Sequence, residues 1–233
     1  MLRRDRSKWH AGGGFVKEDH GIAAPSREPP AVSDQASGFS EADSLVGGVS
    51  IRSKIVLNVG CGYPGQGLHA SFHDDGWREL RLDINPAVDP DFVCSIVDMR
   101  PIATGSVDAI WSSHNLEHLH RHEVPVALGE FLRVLRPGGF LLLTVPDLQK
   151  VGELVAADGL EDEAYRSPSG PIAPLDMIYG HSASIAHGNT HMAHKTGFTA
   201  RTLQQLLSAA GFVTGALSRE GFALWARAYK RAA

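Results

Sequence analysis

Between residues 55 and 145 the chain runs through five short apolar stretches, IVLNV, ELRLDI, FVCSIVDM, VDAIWSS and GFLLLTV, each followed by turn or polar residues. Several are apolar at consecutive positions rather than at every second one. A strand with one wet face alternates, whereas a strand apolar on both faces has to be covered on both. The pattern therefore predicts an α/β fold in which a doubly wound, mostly parallel sheet lies between helical layers.

The intervening segments read as helices. Leu128, Phe131, Leu132 and Leu135 fall at i, i+3, i+4 and i+7 between Glu123 and Leu135, which lays one apolar stripe against a sheet. Arg136, Pro137, Gly138 and Gly139 are expected to stop that helix. Thr199 can cap a second one, striped by Leu203, Leu206, Leu207 and Ala210 and closed by Gly211. The runs Phe212 to Leu217 and Phe222 to Tyr229 are joined by a tight Ser-Arg-Glu-Gly turn, so they are antiparallel. Upstream, residues 1–50 are rich in Gly, Ala, Ser and Pro without apolar period, and a flexible tail is expected there, with one domain over 51–233.

At 233 residues and 43% hydrophobic content the chain can bury one good core. A net charge of -4 and a pI near 6.3 give no general attraction to phosphate backbones, and no nucleic-acid partner is expected. Cys61 and Cys94 are too few for a disulfide framework, which fits a reducing, cytoplasmic setting. No apolar run approaches the roughly 20 residues that span a bilayer. The basic start, Arg3, Arg4, Arg6 and Lys8, lacks the apolar core of a targeting signal, so no membrane is expected as a partner.

The first apolar run ends in VLNVGCGYPG, where Gly60, Gly62 and Gly65 form G-x-G-x-x-G. That is the spacing of a dinucleotide-binding turn, and equally of an ordinary tight turn closing a strand. The ordered set VLNVGCG, RLDINP, SIVDMRP, DAIWSSHNLEHL and RVLRPGGFLLLTVPD is more specific. From Ile55 to Tyr229 the chain resembles the class I S-adenosylmethionine-dependent methyltransferases, most closely the bacterial group acting on small molecules.

The resemblance implies a Rossmann-like sheet of seven strands with an antiparallel last strand, S-adenosylmethionine as cofactor, and methyl transfer to an O, N or C nucleophile of a small molecule. It implies that Asn58, Gly60, Cys61 and Gly62 surround the cofactor's amino-acid end, near a helix start. It sets Asp83 and Ile84 at the ribose, Asp98 and Met99 at the adenine, and Ser113 and His114 beside the reacting methyl. Many relatives carry an acid where this chain has Asn58. A substrate cover is expected over about 147–198, which holds the run HSASIAHGNTHMAHKTGFT at 181–199. His194, His191 and His118 are the candidates for a base wherever the acceptor must lose a proton. No metal is expected, because no nearby acid completes a motif such as H-E-x-x-H, and Gly188 and Gly197 interrupt any helix that would align His187, His191 and His194. Two rival readings remain: an NAD(P)-dependent oxidoreductase and a noncatalytic cofactor-binding subunit.

Overall fold

A computed structural model describes residues 43–46, 49–65 and 67–232. The expected tail lies outside these residues up to 42; its last part does not stay irregular. Strands β1 (Asp43–Val46) and β2 (Val49–Arg52) pair antiparallel, with Asp43 opposite Arg52.

The main sheet has seven strands. In chain order they are β3 (Lys54–Val59), β4 (Trp77–Asp83), β5 (Phe92–Val93), β6 (Val107–Ser113), β7 (Leu135–Pro146), then β10 (Val213–Glu220) and β11 (Ala223–Tyr229). Their spatial order is β10-β11-β7-β6-β3-β4-β5. β3 to β7 run parallel, β11 is antiparallel to β7, and β10 is antiparallel to β11. The chain order reverses at β3, which lies between β4 and β6. At such a switch point a crevice opens beyond the carboxyl ends of the strands.

The two faces of the sheet are covered differently. Leu57, Ile110, Leu141, Leu143 and Leu224 point to one side and pack with Leu128 and Phe131 of helix α1 (Val124–Val134) and with Leu203 and Leu207 of helix α5 (Ala200–Ala209). Their neighbours Val56, Ala109, Trp111 and Leu142 point to the other side. Helical cover was expected there too, but the described residues between β3 and β4 form only a 3-10 turn at Ala70–Phe72. An aromatic layer takes the place of a helix. Phe72 meets the edge of Trp77 at 5.0 Å, Trp111 stacks on Trp225 at 5.8 Å, and the Trp111 indole donates to the Gly67 carbonyl.

Three strands differ clearly in length from the sequence reading: β10 runs on through Ser218, Arg219 and Glu220, so the turn before β11 shrinks to Gly221 and Phe222, and β5 and β7 differ as follows. The run FVCSIVDM pairs only at Phe92 and Val93, after which the chain leaves the sheet for α1. Met99 N–H donates to Glu130 Oε2 at 2.8 Å, while Arg133 donates to the Met99 carbonyl at 2.8 Å and to Glu130 Oε1 at 2.7 Å. β7 starts at Leu135, directly after α1, because Gly138 and Gly139 exchange hydrogen bonds with Lys230 and Lys230 Nζ donates to the Leu135 carbonyl at 2.7 Å.

The Arg133 guanidinium beside Glu130 holds its carboxyl below the ordinary value, helped by the Met99 N–H and opposed by partial burial. A carboxyl with a depressed folded-state pKa contributes stability that is complete above its unfolded value and is lost as pH falls through the folded one. Glu130→Gln is therefore expected to cost about 1–3 kcal/mol near neutrality, and the deficit should shrink in strong acid. Denaturant melts of both proteins at neutral pH and in the acid range check this; a deficit independent of pH would mean that the charge is not what anchors residues 99–102.

The segment between β7 and α5 contains helix α2 (Leu148–Ala156), a hairpin of β8 (Tyr165–Ser167) and β9 (Gly170–Ile172), and short helices α3 (Pro174–Tyr179) and α4 (Ser182–Ala186). Its ends lie side by side. Asp147 and Phe198 form a parallel bridge, and Leu148 N–H donates to the Phe198 carbonyl at 2.9 Å. Among the described residues no helix is long and apolar enough to cross a membrane.

Candidate active site

Three strand ends build the crevice. After β3, Gly60 takes φ +60°, and a Cβ there would stand 1.8 Å from Asn115 Oδ1. Asn115, just past β6, donates from Nδ2 to the Val59 carbonyl at 2.8 Å. Gly60 is thus required by the protein's own packing, not only by a ligand's approach. Gly62 also has positive φ, but the place of its Cβ is open. Its N–H donates to Asp83 Oδ2 at 3.1 Å, and Asn85 N–H donates to Asp83 Oδ1 at 2.9 Å. The Arg81 guanidinium ties the same corner together through the Gly62 and Val88 carbonyls.

A cavity of about 580 Å³ lies over these ends. Its wall includes Gly60, Gly62, Asp83, Ile84, Ser113 and His114, six of the residues that the resemblance assigns to the cofactor, together with Cys94, Ser95 and Ile96. Four other residues assigned to the cofactor do not line it. Asn58 is buried and donates to Glu79 Oε1 at 2.7 Å. Cys61 is buried, and burial pushes its thiol above the ordinary value, so it is a packing residue rather than a thiolate. The Asp98 carboxylate is held by Arg100 in a two-pronged pair at 2.7 Å, and Met99 is fully buried in the core. Among the described residues after the glycines the expected helix start is absent as well, since only the Ala70–Phe72 turn forms.

A nucleoside with vicinal hydroxyls and a polar tail fits this wall. An ionised carboxylate offers about four lone-pair directions. In Asp83 two are taken by backbone N–H groups, which leaves capacity for a hydroxyl pair. Leu82, Val88, Ile96 and Leu119 add apolar surface for a base, and the open side of Gly62 leaves room for the tail.

A second cavity, of about 770 Å³, lies beside the first. It is lined by the 147–198 segment, among others Tyr165, Asp176, Met177, His181 and His194, and by Trp225 of β11. His114, His118 and Met192 line both cavities. Of the three histidines named as candidate bases, His118 and His194 come together with ring centres 4.9 Å apart, whereas His191 lines only the first cavity.

Between them sits a residue that the sequence reading passed over. Glu117 is 1% exposed; its Oε1 is 3.0 Å from His114 Nδ1, and its Oε2 is buried without a hydrogen-bond partner among the described residues. Burial opposes ionisation of Glu117, but His114 and His118 outweigh it and hold the carboxyl below its ordinary value. Burial likewise disfavours charge on His114, yet the hydrogen bond and charge of Glu117 raise it. In His194 burial prevails and lowers the imidazole. The signal was in the sequence: His114 and Glu117 stand at i and i+3 in HNLEH.

A family model described as a methyltransferase domain matches residues 57–143. Among curated proteins the chain is similar to a malonyl-[acyl-carrier protein] O-methyltransferase of Dechloromonas aromatica, 30% identical over 169 residues that cover 67% of this chain and 62% of that protein. A protein of the same name from Laribacter hongkongensis is 40% identical over 63 residues, covering 26% of this chain and 20% of the relative. The chain therefore spans less than two thirds of the length of both relatives. Among solved structures, a SAM-dependent methyltransferase from Methanosarcina mazei matches with a TM-score of 0.54 at 16% identity, covering 78% of this chain and 95% of that one. The Burkholderia thailandensis 1,6-didemethyltoxoflavin-N1-methyltransferase matches with a TM-score of 0.50 at 18% identity, over 77% and 72%. At these identities the likeness concerns the fold. The sheet order and the switch-point crevice agree with that likeness: the chain has the class I S-adenosylmethionine-dependent methyltransferase fold, and its residues 57–143 match the methyltransferase-domain model.

Proposed function

We propose that this chain is an S-adenosylmethionine-dependent methyltransferase acting on an O, N or C nucleophile of a small molecule, with the cofactor in the first cavity and the acceptor in the second. The observation that carries the reading is the contact of the two cavities at His114 and His118, beyond the end of β6. The cofactor supplies a methyl group already activated by a sulfonium. What remains for the protein is alignment and exclusion of water. Asp83 holds the ribose hydroxyls, and Gly62 gives the tail its space. His114, fixed through Nδ1 by Glu117, and His118, whose Nδ1 lies 3.3 Å from the Ala193 carbonyl, form the passage between donor and acceptor. The curated relatives are O-methyltransferases by name, which makes oxygen acceptors the first to test.

Thermal melting separates this reading from its rivals. S-adenosylhomocysteine at 100 times its dissociation constant is expected to stabilise the protein by about 2.7 kcal/mol, while NAD at the same concentration shifts nothing. A shift with NAD alone would sink the methyltransferase reading. A shift with S-adenosylhomocysteine, but no methylated product from a panel of oxygen, nitrogen and carbon acceptors, would favour a noncatalytic subunit.

A further inference from the structure

We propose that Glu117, His118 and His194 form a binding site for one divalent first-row transition cation, such as Mn²⁺ or Zn²⁺, on the passage between the two cavities. One ring nitrogen from each histidine and one carboxylate oxygen of Glu117 lie within 4.8 Å of one another. In the sequence no acid near the 181–199 histidines completes a metal-binding motif; the fold supplies one from the loop after β6.

Three further observations make this a built site. First, Glu117 Oε2 is buried and has no hydrogen-bond partner among the described residues, a costly arrangement that a cation would relieve. Second, both histidines are held from behind. His194 Nδ1 is 3.0 Å from the Met177 carbonyl and His118 Nδ1 is 3.3 Å from the Ala193 carbonyl. A carbonyl only accepts, so each Nδ1 carries a proton, and in the neutral imidazole it is Nε2 that offers the lone pair. That is the outer-shell arrangement by which metal-binding histidines are oriented. Third, the two chain segments are already joined: Lys195 and Thr196 N–H groups donate to the Glu117 carbonyl at 2.8 and 3.2 Å.

Two imidazoles and one carboxylate suit Mn²⁺, Fe²⁺ or Zn²⁺ better than Mg²⁺ or Ca²⁺, which prefer oxygen alone. Bonds of about 2.1 Å place tetrahedral ligands about 3.4 Å apart. The cluster would thus contract by at most about 1.4 Å, within the reach of side-chain rotation. Three protein ligands leave positions open toward the second cavity, which His118 and His194 both line. An acceptor presenting a hydroxyl or carboxylate oxygen would complete the coordination there, and the cation would lower the pKa of a hydroxyl and fix its oxygen in place. This role, though not the binding itself, rests on the methyl-transfer reading.

The test is a titration of chelator-treated protein with Mn²⁺, followed by electron paramagnetic resonance and, for Zn²⁺, by calorimetry. Wild type is expected to bind one cation per chain. His118→Ala and His194→Ala should each weaken binding by at least the roughly 10- to 100-fold that loss of an outer-shell partner costs. Both residues are only partly buried, so these variants keep the test open even if Glu117→Gln fails to fold. The stacked surface pair His120 and His122, 5.8 Å apart, is the control: His120→Ala and His122→Ala should bind as wild type does. The inference is overturned if wild type shows no saturable binding, if the His118 and His194 variants bind normally, or if the control variants lose the ion. S-adenosylhomocysteine binding, measured separately, keeps the two claims apart. A bound cofactor without a cation leaves methyl transfer standing and removes the site. A bound cation without a cofactor keeps the site and removes its role in methylation.

Discussion

Asp83→Ala is expected to bind S-adenosylhomocysteine about 30- to 1000-fold more weakly than wild type, a loss of about 2–4 kcal/mol from two charge-assisted hydrogen bonds. The protein itself should lose less. Asp83 accepts from Gly62 and Asn85 N–H groups, and Gly62 faces an open cavity where water can replace the carboxylate. Calorimetric titration gives the affinity, and a denaturant melt gives the stability. An Asp83→Ala protein with wild-type affinity would mean that the ribose lies elsewhere; one that no longer folds would mean that this carboxylate is chiefly a brace for the glycine loop. Asp83→Asn, which keeps one acceptor oxygen, should fall between the two.

Gly60→Ala should destabilise the fold by about 3–5 kcal/mol, or lower the melting temperature by roughly 10 °C. Two costs add. A left-handed φ of +60° strains any residue with a Cβ by about 1–3 kcal/mol. A Cβ 1.8 Å from Asn115 Oδ1 also forces that side chain away, and its bond to the Val59 carbonyl is lost. Removing the obstacle tests the mechanism: Asn115→Gly should cost less in the Gly60→Ala background than in wild type, and the coupling can be read from a double-mutant cycle. If Gly60→Ala melts with wild type, contact with Asn115 is not what demands glycine here.

Much of the fold was legible because the physics that shapes it is local. Four of the five apolar runs form strands of the main sheet over most of their length, and the Leu128, Phe131 and Leu135 stripe packs against the sheet. The short β5 was not legible, because what draws residues 94–102 off the sheet is a tertiary anchor, Glu130 and Arg133, one of which also satisfies the Met99 N–H. The helix expected after the glycines fails for a reason that is visible in the sequence: Pro64, Gly65, Gly67 and Gly76 break up the stretch that would have to form it.

The place of Asp83 on the wall of the first cavity could be read from its position at the end of a strand. Asp98 could not, since Arg100 two residues on claims its carboxylate. The histidine cluster was half legible. His118 and His194 were singled out one by one, but nothing in the order of residues says that they meet, and Glu117 joins them only because Lys195 and Thr196 fasten the late segment onto the loop after β6.

That fastening, with the adjoining ends at Asp147 and Phe198, has a consequence for how such a protein diverges. The 147–198 segment leaves the sheet and returns to it at neighbouring points, so its length can drift at small entropic cost. Insertions in the exposed stretch around 157–163 would reshape the surroundings of the second cavity without disturbing the strand ends that carry Gly62 and Asp83. The stretch 193–196 is different, because it is tied to both Glu117 and His118. Lineages could therefore exchange acceptors by rewriting the outer part of the segment, while its last few residues stay fixed by the loop they clasp.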